Sequence, residues 1–278
     1  MLATFVVALV PMSLASPSLS FVILAVLLLA AVGAIDDVRA LGAMPRLAVQ
    51  ALAVIILVVA LPADLRTMPV LPWWIERALL IVALLWFVNL VNFMDGVDWM
   101  TVAEVVPLTA ALGLFGLAGA VPREAAMVAV ALCGAMIGFA PFNRPVARLF
   151  LGDVGSLPVG LLIGWMLVLL AGKGHFAAAV LLPLYYLADA TITLLRRLAN
   201  GEPLMEAHRR HFYQRAFDRG FTAYRIITPV LATNLVLIGL ASVTLFLPSL
   251  TVQVAALFAG AAVVAILLLH FSGKRAFR

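Results

Sequence analysis

Long apolar runs separated by short polar breaks occupy the chain from end to end. Reading the runs between charges and Pro or Gly breaks gives ten segments: 2–15, 20–35, 46–61, 76–93, 101–119, 124–141, 157–172, 175–196, 224–247 and 250–270. A helix crosses the hydrocarbon core of a bilayer with about 20 apolar residues, and with fewer where neighbours shield it. The pattern predicts an all-α fold: a polytopic integral membrane helix bundle of about ten transmembrane helices, forming one domain over residues 1–278. The longest polar stretch, 197–223, is loop-sized, so no separate soluble domain fits between the runs. Residues 1–10 are apolar but lack a basic leader and a small-residue cleavage site, so they read as a retained span and not as a signal peptide.

Composition agrees with the pattern. Of 278 residues, 65% are hydrophobic and 11% charged, and the mean hydropathy is +1.18. Soluble domains carry roughly 25% charged residues. A chain with less than half of that cannot cover itself with a water-compatible surface, which excludes a soluble globular protein. The single cysteine, Cys133, sits inside an apolar run and reads as a small buried side chain.

Charge then orients the bundle. Alternating spans divide the loops into two sets. Only Arg66, Arg77, Arg123 and Lys173 of the 18 Lys and Arg fall in one set; the other set holds all the rest. Basic residues concentrate on the cytoplasmic side of inner-membrane proteins, so the second set is expected to face the cytoplasm, together with both termini. The formal net charge of +5 then needs no nucleic-acid partner, because it lies where anionic headgroups and nucleotides are found.

The same side collects the acids. Asp36 and Asp37 close the second run, and Asn89, Asn92, Asp95 and Asp98 follow at intervals of three around the end of the fourth. Asp153 lies in the turn Leu151-Gly152-Asp153-Val154-Gly155-Ser156, and His208, Arg209, Arg210 and His211 sit in the long polar stretch. Each has a bland alternative: a helix cap or an Arg39 partner for Asp36 and Asp37, a turn for the Asn/Asp series, a solvated basic loop for the histidines. Adjacent carboxylates repel unless a cation is near, and amides within an apolar run need partners. A Gly-flanked turn before a span can present backbone N–H groups to phosphate, with a divalent cation between phosphate and Asp. Asp189, inside a run, reads as a polar anchor.

These four loops, in this order, resemble the polyprenyl-phosphate N-acetylhexosamine-1-phosphate transferases, also called glycosyltransferase family 4. Asp36-Asp37 is similar to the family's first motif, and NLVNFMDGVD to its Asn-x-x-Asn-x-x-Asp-Gly-x-Asp motif. LFLGDVGS is similar to its Met-Gly-Asp-x-Gly-Ser motif, and the stretch from Asp189 through Arg196, Arg197, His208 and His211 to its last one. The resemblance runs from about Gly33 to Gly220. It implies attack by an undecaprenyl-phosphate oxygen on the β-phosphorus of a UDP-sugar, with release of UMP. It also implies magnesium, with manganese as a substitute, held by Asp153. Asp36, Asp37, Asp95 and Asp98 are then the catalytic acids, and Asn89, Asn92, His208, Arg209, Arg210 and His211 the substrate-binding set. The implied setting is the bacterial inner membrane, multi-pass, with lipid bilayer around the enzyme and a homodimer compatible with it.

Two departures stand out. Trp99 replaces a glycine after the Asp-Gly-x-Asp series, and the His cluster is reduced to His208-Arg209-Arg210-His211, as in branches making O-antigen or exopolysaccharide. The chain also starts where the resemblance expects a preceding span and polar loop, which makes a truncated, inactive binding partner one alternative. A transporter without chemistry is the other, though the acids cluster at one surface and no internal repeat is visible.

Overall fold

The computed structural model describes residues 17–203 and 209–273; the expected first span, 2–15, and His208 lie outside the described residues. Among the described residues there are eleven helices and no strand. In chain order they are α1 (Pro17–Val38), α2 (Ala43–Ala60), α3 (Trp73–Met94), α4 (Met100–Leu117), α5 (Arg123–Phe139) and α6 (Asp153–Gly172). They continue as α7 (Phe176–Leu181), α8 (Leu184–Ala199), α9 (Phe212–Asp218), α10 (Ala223–Phe246) and α11 (Leu250–Ser272).

Local chemistry sets the boundaries. Pro72 and Pro122 sit just before α3 and α5, where a missing N–H is harmless. Thr222 and Ser249 cap α10 and α11 by accepting from the N–H of Arg225 and Val252. Seven helices are long and apolar enough to cross a membrane: α1, α2, α3, α4, α6, α10 and α11. The run at 124–141 forms the 17-residue α5. The run at 175–196 is not one helix, because the chain turns at Leu182 and Pro183 between α7 and α8. Proline removes a helical N–H and its ring clashes with the preceding turn. The bundle is thus a polytopic all-α assembly as expected, with this one expected span divided.

α6 is the axis of the bundle. Of its apolar window 94% is buried, against 28% for α2 and α11, because α1 and α3 pack along it. Small residues permit this closeness: a Cβ at Gly160 would stand 3.1 Å from the Val88 backbone, and one at Gly33 only 2.5 Å from the Asp153 carbonyl. The facing residues, Leu84, Val88 and Val91 of α3 and Leu29 and Val32 of α1, are buried. Full burial of each such side chain contributes about 1.5–3 kcal/mol in water-based terms, less where the alternative solvent is lipid. Outward residues such as Val59, Val82 and Phe258 remain exposed, as a lipid-facing surface requires.

The two ends of the bundle differ. At one, Glu76 is 1% exposed and accepts from Arg66 Nε at 2.6 Å and Thr67 Oγ1 at 2.8 Å. Arg77 donates there to the carbonyls of Pro62 and Leu65. That end is a closed polar plug. At the other, the C-termini of α1 and α3 meet the N-terminus of α6.

Candidate active site

Asp36 and Asp37 are neighbours at the last turn of α1, yet they do different things. Asp37 reaches across to α6 and accepts from the backbone N–H of Asp153 at 2.9 Å and of Val154 at 3.0 Å. Helix N-termini leave such donors unpaired and favour negative charge, so Asp37 serves as a cap supplied from another helix. The expectation that this N-terminus offers its first amides to phosphate is therefore revised: Asp37 already occupies them. Gly152 makes the contact feasible, with φ 65 and ψ 177 and its missing Cβ directed at the Asp37 carboxylate, 2.6 Å from Oδ2.

Asp36 turns the other way. Its Oδ1 accepts from Leu41 N at 2.6 Å and its Oδ2 from Arg46 Nη1 at 2.7 Å. The same Arg46 nitrogen reaches Asp153 Oδ2 at 3.3 Å. Arg46, one turn into α2, is a site residue that sequence reasoning counted only for orientation; the pairing of Asp36 is with Arg46 and not Arg39. Asn92 completes the cluster from α3, donating to Asp153 Oδ1 at 2.7 Å and to Ser156 Oγ at 2.9 Å. Four helices thus meet around Asp153.

A cleft of about 280 Å³ opens beside it, lined by Asn92, Asp95, Asp98, Asn143, Phe150 and Asp153 among others. Asp95 caps the C-terminus of α3 and accepts from the Thr101 hydroxyl. Burial pushes the Asp95 carboxyl up to about 7, against the Thr101 hydrogen bond, and the negative charge of Asp153 adds to the rise. Asp98 also lines the cleft, but its Oδ2 accepts from Ala147 N at 3.0 Å and so holds the segment before α6. Asn143 works from the opposite wall, accepting from Trp99 N at 2.8 Å and donating to Leu149 O at 2.9 Å.

Trp99 has φ 65, the left-handed region where glycine is the usual occupant. The tryptophan conformation is held by its indole, which donates to Ala140 O at 2.6 Å and meets the Tyr224 ring edge-on. Asn89, by contrast, stays inside the bundle. Its carboxamide donates to Gln50 Oε1 and Leu85 O, both at 2.8 Å, and it does not line the cleft.

The basic loop is anchored by Asp189 on α8, which is fully buried. That carboxylate accepts from Phe212 N at 3.0 Å and Tyr213 N at 3.3 Å and meets His211 Nδ1 at 3.3 Å. His211 is 3% exposed and stacks on Tyr213, whose hydroxyl donates to Phe93 O at 2.8 Å. The loop is therefore docked against the Asn92–Asp95 turn, where Gly96 leaves room for the tyrosine. Arg210 pairs with Glu202, and Arg209 is exposed. A second cleft, of about 350 Å³, is lined by Arg196, Arg197, Arg210 and Arg215 with Glu202 among them.

Among the described residues no three acidic, His or Cys side chains converge tightly enough to cage a metal unaided. Magnesium does not require that: it takes one or two carboxylates and fills its octahedron with waters and substrate phosphates. Asp95 and Asp153 offer hard oxygen donors around one cleft, and a divalent cation there would offset the burial and, to a lesser degree, the neighbouring Asp153 charge that raise Asp95. The residues fit the ion.

Comparison with known proteins agrees with the motifs. Residues 19–171 match the model of glycosyl transferase family 4. A phospho-N-acetylmuramoyl-pentapeptide-transferase of Wolbachia pipientis wMel is 36% identical over 89 residues, 32% of this chain and 27% of that protein. A probable undecaprenyl-phosphate N-acetylglucosaminyl 1-phosphate transferase of Bacillus subtilis (strain 168) is 24% identical over 200 residues, 68% of this chain and 56% of that one. A decaprenyl-phosphate N-acetylglucosaminephosphotransferase of Mycolicibacterium smegmatis is 26% identical over 192 residues, covering 60% and 47%. The matched part spans between a quarter and just over half the length of these relatives.

Proposed function

Since the chain belongs to glycosyl transferase family 4, we propose that it transfers a sugar-1-phosphate from a UDP-N-acetylhexosamine to a polyprenyl phosphate, undecaprenyl phosphate in a bacterial inner membrane. The observation that carries the reading is the hydrogen-bonded meeting of Asp36, Asp37, Asn92 and Asp153 from three helices beside one cleft. A transporter with its polar groups at mid-bilayer would not need that arrangement at a helix-end surface.

In this reaction an oxygen of the lipid phosphate attacks the β-phosphorus of the donor. The bond from that phosphorus to the bridging oxygen breaks, and UMP leaves with the electron pair. Two anions must meet, so charge neutralisation and alignment supply most of the catalysis. Asp153, with Asp95 across the cleft, would hold magnesium, which when bound neutralises the diphosphate and stabilises departing UMP. Asn92 and Arg46 each hold one oxygen of the Asp153 carboxylate and so would fix its orientation toward the ion. Asp37 acts through α6 and is a positioning residue.

Asp36 and Arg46 would then orient the acceptor phosphate. With a second pKa near 6 a phosphate is mostly dianionic, so Asp36 need not be a strong base, and direct displacement is favoured over an aspartyl intermediate. The arginines of the second cleft, together with His211, would take the donor's remaining negative charge. On this reading the cleft faces the cytoplasm, in keeping with the distribution of basic residues, and the product starts a cell-surface glycan of the O-antigen or exopolysaccharide kind.

The test is purified protein with polyprenyl phosphate, magnesium and a panel of UDP-sugars, scoring UMP. Release that requires both lipid and one UDP-N-acetylhexosamine is expected. Solute flux in liposomes with no UMP from any donor would establish the transporter instead.

A further inference from the structure

The reaction described above has no part for Glu104, a carboxyl on the second turn of α4 that is only 3% exposed. Its Oε2 accepts from Asn234 Nδ2 of α10 at 2.7 Å, and the same amide nitrogen donates to Ala103 O at 3.1 Å. Among the described residues no Lys, Arg or His forms an ion pair with it. Glu104 Oε1 and Asn234 Oδ1 lack hydrogen-bond partners among the described residues. They are the other Glu104 oxygen and the amide oxygen of the two groups that share the 2.7 Å bond.

Two bare acceptors in an apolar wall are each unfavourable, and an ionised carboxylate with no cation is more so. A single proton resolves all three difficulties. Placed on Oε1, it is donated to the amide oxygen while the amide nitrogen donates to Oε2, the reciprocal ring that a carboxylic acid and a primary amide form. The consequence reaches the cleft through α4. Thr101 lies three residues before Glu104, on the same helical face, and its hydroxyl is the donor to Asp95. Tyr186 of α8 lies beside the same acids.

We propose that Glu104 is a neutral carboxylic acid paired reciprocally with the Asn234 carboxamide, and that this α4–α10 pair is a positioning device that sets Thr101 against Asp95. The positioning half rests on the transferase reading; the acid–amide pair does not. Infrared difference spectra of the purified full chain in lipid, wild type against Glu104→Gln, test the pair without turnover. A protonated-acid carbonyl band present in wild type and lost in E104Q is expected; loss of a carboxylate band instead overturns the proposal.

Turnover tests the positioning. E104Q keeps a neutral amide and is expected to retain wild-type kcat. Glu104→Ala and Asn234→Ala should lower kcat on the order of tenfold to a hundredfold, the scale of a misplaced active-site group, with the KM for donor unchanged. The swapped double variant E104Q/N234D, which exchanges acid and amide at the same chain lengths, should recover part of the activity lost in Asn234→Asp alone. E104Q as damaging as E104A, or no recovery in the swap, overturns it. An acid band with no UMP release from wild type supports the pair and refutes the transferase reading separately.

Discussion

Replacing Gly152 by alanine adds one methyl group and removes no functional side chain, yet it should disable the site. Gly152 has φ 65 and ψ 177, a region nearly confined to glycine, where another residue costs about 1–3 kcal/mol. The new Cβ would stand 2.6 Å from Asp37 Oδ2 and 3.1 Å from its Cγ, so the carboxylate must leave the amides of Asp153 and Val154. Loss of a helix N-cap costs roughly 1 kcal/mol more. The sum, about 2–4 kcal/mol, is a marginal threat to folding but a large one to alignment, because Asp153 is the first residue of the uncapped turn. A displacement of about 1 Å at such a group lowers turnover by about a hundredfold. The assay is steady-state UMP release by G152A, with thermal unfolding in the same detergent to confirm a folded protein. Asp37→Asn, which keeps one acceptor oxygen for the amides, should fall between wild type and G152A. An unchanged kcat in G152A would refute the claim that the Asp37 cap positions Asp153.

Other variants separate the roles. Arg46→Met removes the guanidinium between Asp36 and Asp153 while keeping much of the stem; a loss of about tenfold or more in kcat/KM is expected, since hydrogen bonds to charged partners contribute about 1.5–3 kcal/mol, and wild-type kinetics would contradict the bridging role. Asp189→Asn leaves the buried donors of His211, Phe212 and Tyr213 partly unsatisfied; it should lower stability by about 1–3 kcal/mol, read as a lower unfolding midpoint. Arg123→Ala, on the far side of the bundle from the acids, should stay within about 0.5 kcal/mol of wild type in stability and leave UMP release unaltered.

Much of this was legible in the residues. Every apolar run from 20–35 onward has helical counterparts, because hydropathy over that length leaves the backbone few choices in lipid. Asp36, Asp37, Asn92, Asp95 and Asp153 meet because their loops share one end of the bundle, and the charge pattern already put them on one side. Their division of labour was not readable. Whether Asp36 or Asp37 faces α6 depends on how α1 rotates against it, which Gly33 and Gly152 set by close approach. Asn89 and Asn92 share a helical face, but three residues are about 4.5 Å of axial rise, enough to give one to Gln50 and the other to the cleft. In the sequence Arg46 is one more positive charge; the α1–α2 hairpin folds it onto Asp36. Trp99 was visible as a departure from a glycine motif; only the backbone shows that it keeps the glycine's conformation. The division at Pro183 was obscured by apolar residues on both sides of it.

Magnesium titration of UMP release in wild type and Asp153→Asn shows whether Asp153 binds a divalent ion against the donor diphosphate. The substitution keeps the shape of the side chain and a carbonyl oxygen for the Asn92 contact, so the variant should unfold at the wild-type temperature. Wild type should show a saturable magnesium dependence abolished by chelator, and D153N no turnover at any magnesium concentration. Near-normal release by D153N, or wild-type release that survives chelation, would contradict it.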